Sequence, residues 1–388
     1  MARTPRRDAT MVAGLHHHQH GVDRRHLNTG AGMLVGWLAS GLSRLTAWAP
    51  AVQRRAASAQ RPVRRGERWR HKARSEVPQR DGPRLRQALA EWGHTGLSLA
   101  LETSSRGESS GLVRLARRSR GRALPRVWTG LPRHSRRLAD EAANDVLDTA
   151  AVWLPLQGTV VCLAERGCAE TPRMDHLRPL AWQWRRRRHR RCWSERHGPR
   201  PGTLRRLAWA AGEAGCWPQV CMTATGAGPV QRALARHHER PPAWVVVREA
   251  PTARKPFAES GWRLDSAAHG CEDHSPGFQR ASARMRAAAA WGRRCWVLAL
   301  TTRSRVAQGV AVGNQGTRRW GDPPWVRGRR DLNIGGNGVK LALSRGDERV
   351  TRVSRATGSA PEPAMASNNQ DQNHLRRGAA VTCQDAVA

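Results

Sequence analysis

An α/β fold is predicted for the C-terminal half of this 388-residue chain, and three stretches predict it. Trp244-Val-Val-Val-Arg-Glu249 is an apolar run ending in a carboxylate, which fits a strand covered on both faces, as in a parallel sheet. Residues 279–294 are dominated by alanine, a strong helix former. Residues 295–300, Cys-Trp-Val-Leu-Ala-Leu, read as a second buried strand. Strand, helix, strand in this order is a βαβ unit, which implies a parallel sheet with a right-handed crossover. An earlier buried strand is read at 158–163, with Asp145 and Asp148 ahead of it.

Residues 1–30 are polar, basic and rich in histidine (His16, His17, His18, His20), and read as a disordered tail. The apolar run at 30–41 is too short to span a bilayer and resembles the apolar part of a secretion signal. Its basic flank lies inside the chain and Arg44 follows it, so it is read as a short buried helix. Residues 31–140 form a basic region, irregular or helical, with helical patches at 83–92 and 135–147. Residues 104–111 are rich in serine and glycine and read as a flexible linker. In residues 180–193 tryptophans flank a dense cationic run. Trp182, Trp184, Arg185, Arg186, Arg187, Arg188, Arg190, Arg191 and Trp193 are the candidate nucleic-acid contacts, on a basic helix. Guanidinium groups pair with phosphates and indoles stack on exposed bases. A solvated charge run is the competing reading. Residues 346–388 read as a disordered tail.

Charge narrows the function classes. Lys+Arg is 67 against Asp+Glu 30, a formal net charge of +37. Such a chain is not an ordinary metabolic enzyme with a small-molecule substrate; its partner is a polyanion, DNA and/or RNA. The basic residues are nearly all arginine, with lysine only at Lys72, Lys255 and Lys340. Ile occurs only at Ile334, Phe only at Phe257 and Phe278, and Tyr not at all, against 17 Trp. This is the bias GC-rich DNA gives when it is read without selection on the protein. A non-functional relic or spurious reading frame is therefore one reading of the chain. The eight cysteines contain no C-x-x-C pair, so no zinc is expected, and they read as reduced thiols of a cytoplasmic protein with no membrane partner.

The most informative stretch is 320–340, centred on Arg330-Asp331-Leu332-Asn333. With Trp320 and Pro323 ahead of Asp331 and Asn333, it resembles the end of the OrfB/TnpB insertion-sequence nucleases, where a zinc ribbon runs into D-R-D-x-N. Asp322 and Trp325 stand where the ribbon cysteines belong. Val246-Val-Arg-Glu249 and Ala290-Trp-Gly-Arg-Arg294 follow the family's order of strand and turn. The resemblance implies an RNase H/RuvC-like sheet with helices over 145–345, with a degenerate ribbon at about 301–329. It further implies three carboxylates holding two Mg²⁺ ions about a scissile phosphate. The candidates are Asp148 (or Asp145), Glu249 and Asp331. The implied activity is RNA-guided DNA cleavage, impaired by loss of the ribbon. A non-catalytic arginine-rich nucleic-acid binder and a relic are the alternatives.

Overall fold

The computed structural model describes residues 24–41, 45–48, 60–71, 96–106, 110–119, 122–131, 136–154, 159–164, 176–177, 179–188, 193–194, 202–203, 214–220, 230–235, 243–247, 288–314 and 331–345. The fold is mixed α/β. Its helices are α1 (Arg24–Ser40), α2 (Leu45–Trp48), α3 (Gln60–His71), α4 (Arg136–Trp153), α5 (Ala288–Asn314) and α6 (Asp331–Arg345). Its strands are β1 (Gly96–Arg106), β2 (Ser110–Ser119), β3 (Arg122–Leu131), β4 (Thr159–Ala164), β5 (Gln183–Arg188), β6 (Trp193–Ser194), β7 (Gly202–Thr203), β8 (Ala214–Val220), β9 (Val230–Ala235) and β10 (Ala243–Val247).

Eight strands form one sheet in the order β3-β2-β1-β4-β5-β10-β9-β8, and β6 pairs with β7 separately. The first three strands are an antiparallel meander. β4 joins β1 in parallel, and β5 joins β4 in parallel. α4 is the crossover between β3 and β4 and packs on β2 and β3. The helix expected from about 135 to 147 extends to Trp153, because Val146, Leu147, Ala150 and Trp153 continue its buried face. It stops before Pro155, which lacks an N–H and bars a helical residue before it.

Two apolar layers sandwich the sheet. One gathers Leu99, Leu101, Val113, Leu115, Val127 and Cys162 under α4. The other gathers Leu112 and Trp128 with α1, α2, α3 and α5. Neighbours in sequence, Leu112 and Val113, therefore serve opposite layers, as the two-residue period of a strand requires. The second layer is built from tryptophan. Six indoles fill it: Trp37, Trp48, Trp69, Trp128, Trp291 and Trp296. Glycine makes room for them; a β-carbon on Gly36 would lie 2.5 Å from Trp48 Cβ.

Several expectations are corrected. Residues 295–300 are not a strand but the middle of the 27-residue helix α5, so the βαβ unit does not form. That helix also occupies 301–314, the first half of the expected ribbon. Residues 243–247 are a strand as read, but antiparallel to both neighbours, β5 and β9. Of the stretch 104–111 expected as a linker, residues 104–106 and 110–111 are strand, with Arg106 paired to Ser110, and residues 107–109 lie outside the described residues. The basic region 31–140 is not irregular or purely helical, since it holds the three-stranded meander. Residues 24–30 belong to α1 rather than to a disordered tail, and the buried helix expected from 30 begins at Arg24. Residues 83–92 and 346–388 lie outside the described residues.

Candidate nucleic-acid interface

The described part of the basic run at 180–193 is not a helix. Gln183–Arg188 is β5, hydrogen-bonded between β4 and β10. Trp182 and Trp184 stand two residues apart and both enter the layer under α4, at 7% and 3% exposure. Arg185 is buried at 1%, and its Nη2 donates to Gln183 Oε1 at 3.0 Å. These three side chains are therefore inside the molecule and not on a surface that meets bases. Arg186, Arg187 and Arg188 complete the strand, and Trp193 lies in β6. Arg190 and Arg191 lie outside the described residues.

An exposed cationic face is found on α3 instead. Arg61, Arg64, Arg65 and Arg68 recur at i, i+3, i+4 and i+7, which aligns them along one side of a helix. All four are exposed. Pro62 sits in the first turn, where its missing N–H is not needed. The opposite side, with Gly66, Trp69 and Arg70, is buried. Trp69 Nε1 donates to the His26 carbonyl at 3.0 Å, and its ring stacks on His26 and Trp296 at centroid distances of 4.9 and 6.0 Å. Arg293 Nε donates to the Arg70 carbonyl at 2.6 Å, tying α3 to α5. Arg65 Nε donates to Thr29 Oγ1 at 3.0 Å, tying it to α1. The stripe thus stands on a rigid support, with Glu67 as the one acid on the helix. The sequence signal was present as the i, i+3, i+4, i+7 spacing, masked by the density of arginine around it.

The candidate carboxylates lie on different elements. Asp148 is in the interior of α4 and pairs with His176 at 2.8 Å on the surface. Asp145, one turn earlier on α4, gives its backbone carbonyl to the Thr149 hydroxyl. Asp331 is the first residue of α6. Glu249 lies outside the described residues, two positions past β10. Among the described residues no group of three His, Cys, Asp or Glu is placed to hold a metal ion.

One acid does sit at the heart of the sheet. Glu102 on β1 faces Arg114 directly across the strand pair, and Arg114 faces Trp128 on β3. Arg114 Nε and Nη2 both donate to Glu102 Oε2, at 2.8 and 2.5 Å, with both side chains 8% exposed. Glu102 Oε1 has no hydrogen-bond partner. Nothing in the sequence reading pointed to Glu102, because its surroundings, Leu101-Glu102-Thr103-Ser104, form no motif by themselves.

Among the described residues no helix is long and apolar enough to cross a membrane. No protein-family model matches the chain, and no curated protein does. Among solved structures, the cryo-EM structure of a piggyBac transposase synaptic complex with hairpin DNA is similar to it at a TM-score of 0.42 and 9% identity, covering 98% of this chain and 84% of that one. The likeness is weak.

Proposed function

We propose that the chain is a transposase-like DNA-binding protein on an RNase H-like sheet, with its cleavage chemistry impaired. The arginine stripe of α3 carries the reading: four exposed guanidinium groups on one face, on a helix fixed from behind by indoles and backbone hydrogen bonds. Guanidinium groups pair with phosphate oxygens, and counterion release drives the association. The net charge of +37 supports the same partner. The RNase H-like part rests on analogy of topology. An antiparallel meander, a crossover helix, and two strands added in parallel beside the first give the order β3-β2-β1-β4-β5. Impairment is supported by the Arg114–Glu102 pair, which neutralises the central acid from within.

The test is DNA binding by fluorescence anisotropy across a salt series, with a duplex of arbitrary sequence. The expected outcome is sequence-blind binding whose log–log salt slope falls by about 0.9 for each phosphate contact removed. A variant carrying Arg61→Ala, Arg64→Ala and Arg68→Ala should flatten the slope by roughly two to three units. An unchanged slope would take the interface off α3. The finer reading drawn from the 320–340 motif is Mg²⁺-dependent, RNA-guided DNA cleavage through Asp148, Glu249 and Asp331. It makes the opposite prediction: Mg²⁺-dependent nicking of plasmid DNA that Glu249→Ala and Asp331→Ala abolish.

A further inference from the structure

Among the described helices one carries an acidic face, and it lies across the sheet from the arginine stripe. After Arg137, α4 holds Asp140, Glu141, Asp145 and Asp148 and no Lys or Arg. α1, α2 and α5 contain no Asp or Glu, and α3 and α6 contain one each. Glu141, Asp145 and Asp148 are exposed and recur at i, i+4 and i+7, which aligns them along the solvent side of α4. Val152, 73% exposed, continues the line. The other side of the helix, with Ala142, Ala143, Val146 and Leu147, is fixed in the core. Asp148 pairs with His176 at 2.8 Å and still has a 55% exposed side chain.

The two charged faces match in spacing. On α3, Arg61, Arg64 and Arg68 recur at i, i+3 and i+7. Read in the reverse direction, that is the spacing of the three acids. Two such helices laid antiparallel bring Glu141 to Arg68, Asp145 to Arg64 and Asp148 to Arg61, in register over about 10 Å. Trp69 anchors α3 in one apolar layer, and Val146 and Leu147 anchor α4 in the other, with the sheet between them. The two faces therefore point away from each other and cannot meet within one chain.

We propose that α4 of one copy docks on the arginine stripe of α3 of a second copy, and that this contact competes with nucleic acid for the stripe. The contact is head to tail, so it adds copies into an open chain. Carboxylates at this spacing take the places that phosphates take on the guanidinium groups. The competition rests on the proposed function; the contact between copies does not. Net charge sets the conditions, because two copies of +37 repel each other. At about 0.1 M salt the Debye length is about 10 Å, which screens whole-molecule repulsion and leaves ion pairs at contact. At 1 M it is about 3 Å, and the contact is lost. The competing account is a solvated helix face whose carboxylates meet only water.

The experiment is sedimentation velocity of the full chain over a concentration series at about 0.1 M salt. The expected sedimentation coefficient rises with concentration, and returns to the monomer value in high salt or with a short duplex in excess. One variant carries Arg64→Glu and Arg68→Glu; another carries Glu141→Arg and Asp145→Arg. Each alone presents two faces of like charge and should stay monomeric. Mixed in equal amounts, every α3 again finds an opposite α4, so association should return, which also shows that both variants are folded. A wild-type chain that is monomeric at every concentration overturns the contact, as does a mixture that stays monomeric. The milder changes Arg64→Gln and Asp145→Asn should each weaken association several-fold, and association unchanged by either overturns the register. Association that persists in excess duplex overturns the competition. Loss of DNA binding in the α3 variant beside a monomeric wild type keeps the DNA-binding reading and ends the contact. Association restored in the mixture, with DNA binding untouched by Arg64→Glu and Arg68→Glu, keeps the contact and takes the DNA interface off α3.

Discussion

The Glu102–Arg114 pair concentrates the chemistry of the sheet in two side chains. Both are buried, and the two guanidinium hydrogen bonds fall on one carboxylate oxygen. A buried pair adds little over apolar residues of the same size, but removing one member strands a charge in a poorly solvating interior. Arg114→Ala should therefore cost about 3–5 kcal/mol, read as a fall in the urea midpoint. The combination Glu102→Leu with Arg114→Met should recover most of that loss. Equal losses in the single and double variants would place the energy in packing and not in charge. At this scale the sequence was a poor guide. Trp182 and Trp184 were legible as aromatics beside arginines, a pattern that serves a base-stacking surface and a buried strand alike. Their spacing of two was the deciding signal, since a strand puts both on one face. Asp148 and Asp331 were chosen by resemblance, and folding puts one within a surface helix and the other at the start of α6.

Elements were legible where their flanks agreed with their interiors. β4 was, because five buried apolar residues lie between a turn-forming glycine and a polar run. α5 was not. The run Cys295-Trp-Val-Leu-Ala-Leu300 is short and apolar, and periodicity alone does not separate a buried strand from a buried helix. Continuation decides it. Alanines precede the run, and after it the hydroxyls of Thr301 and Thr302 donate to the carbonyls of Val297 and Leu298, at 2.8 and 2.9 Å. Those bonds give the β-branched residues a helical partner four positions back. The meander β1–β3 was hidden by arginine, although Leu97, Leu99 and Leu101 alternate as a half-buried strand should. The helices permit a paired prediction from two glycines. A β-carbon on Gly292 meets nothing within 4 Å, while one on Gly335 collides with the Arg305 backbone. Gly292→Ala in α5 should stabilise by roughly 0.5–1 kcal/mol, the helix propensity gain. Gly335→Ala in α6 should cost about 1–3 kcal/mol or more, as overpacking does. Thermal melts of the two variants should move in opposite directions; a shared direction would mean that α5 and α6 do not approach through Gly335.

For the whole molecule the question is whether a chain with one Ile, two Phe and no Tyr builds a cooperative core at all. The composition alone argues against it, because selected cores draw heavily on those residues. The structure answers with tryptophan. Among the described residues nine indoles are buried, three in the layer under α4 and six in the layer under α1, α3 and α5. Large rings compensate for missing medium-sized side chains, and Gly36 and Gly66 give Trp48 its space. The sheet also links the two layers, since β2 and β3 each send side chains to both. Loss of either layer exposes strands the other depends on, so the layers should unfold together. Tryptophan emission through a urea titration should then be blue-shifted at the start and red-shift in a single sigmoidal step, coincident with loss of the near-UV circular dichroism signal. Two separated steps would mean that the sheet does not couple the layers. A gradual drift with no step would leave the arginine stripe of α3 without its indole support. The reading of the chain as an unselected frame would then prevail over the DNA-binding proposal, because that proposal needs side chains held in place by a fold that melts as a unit.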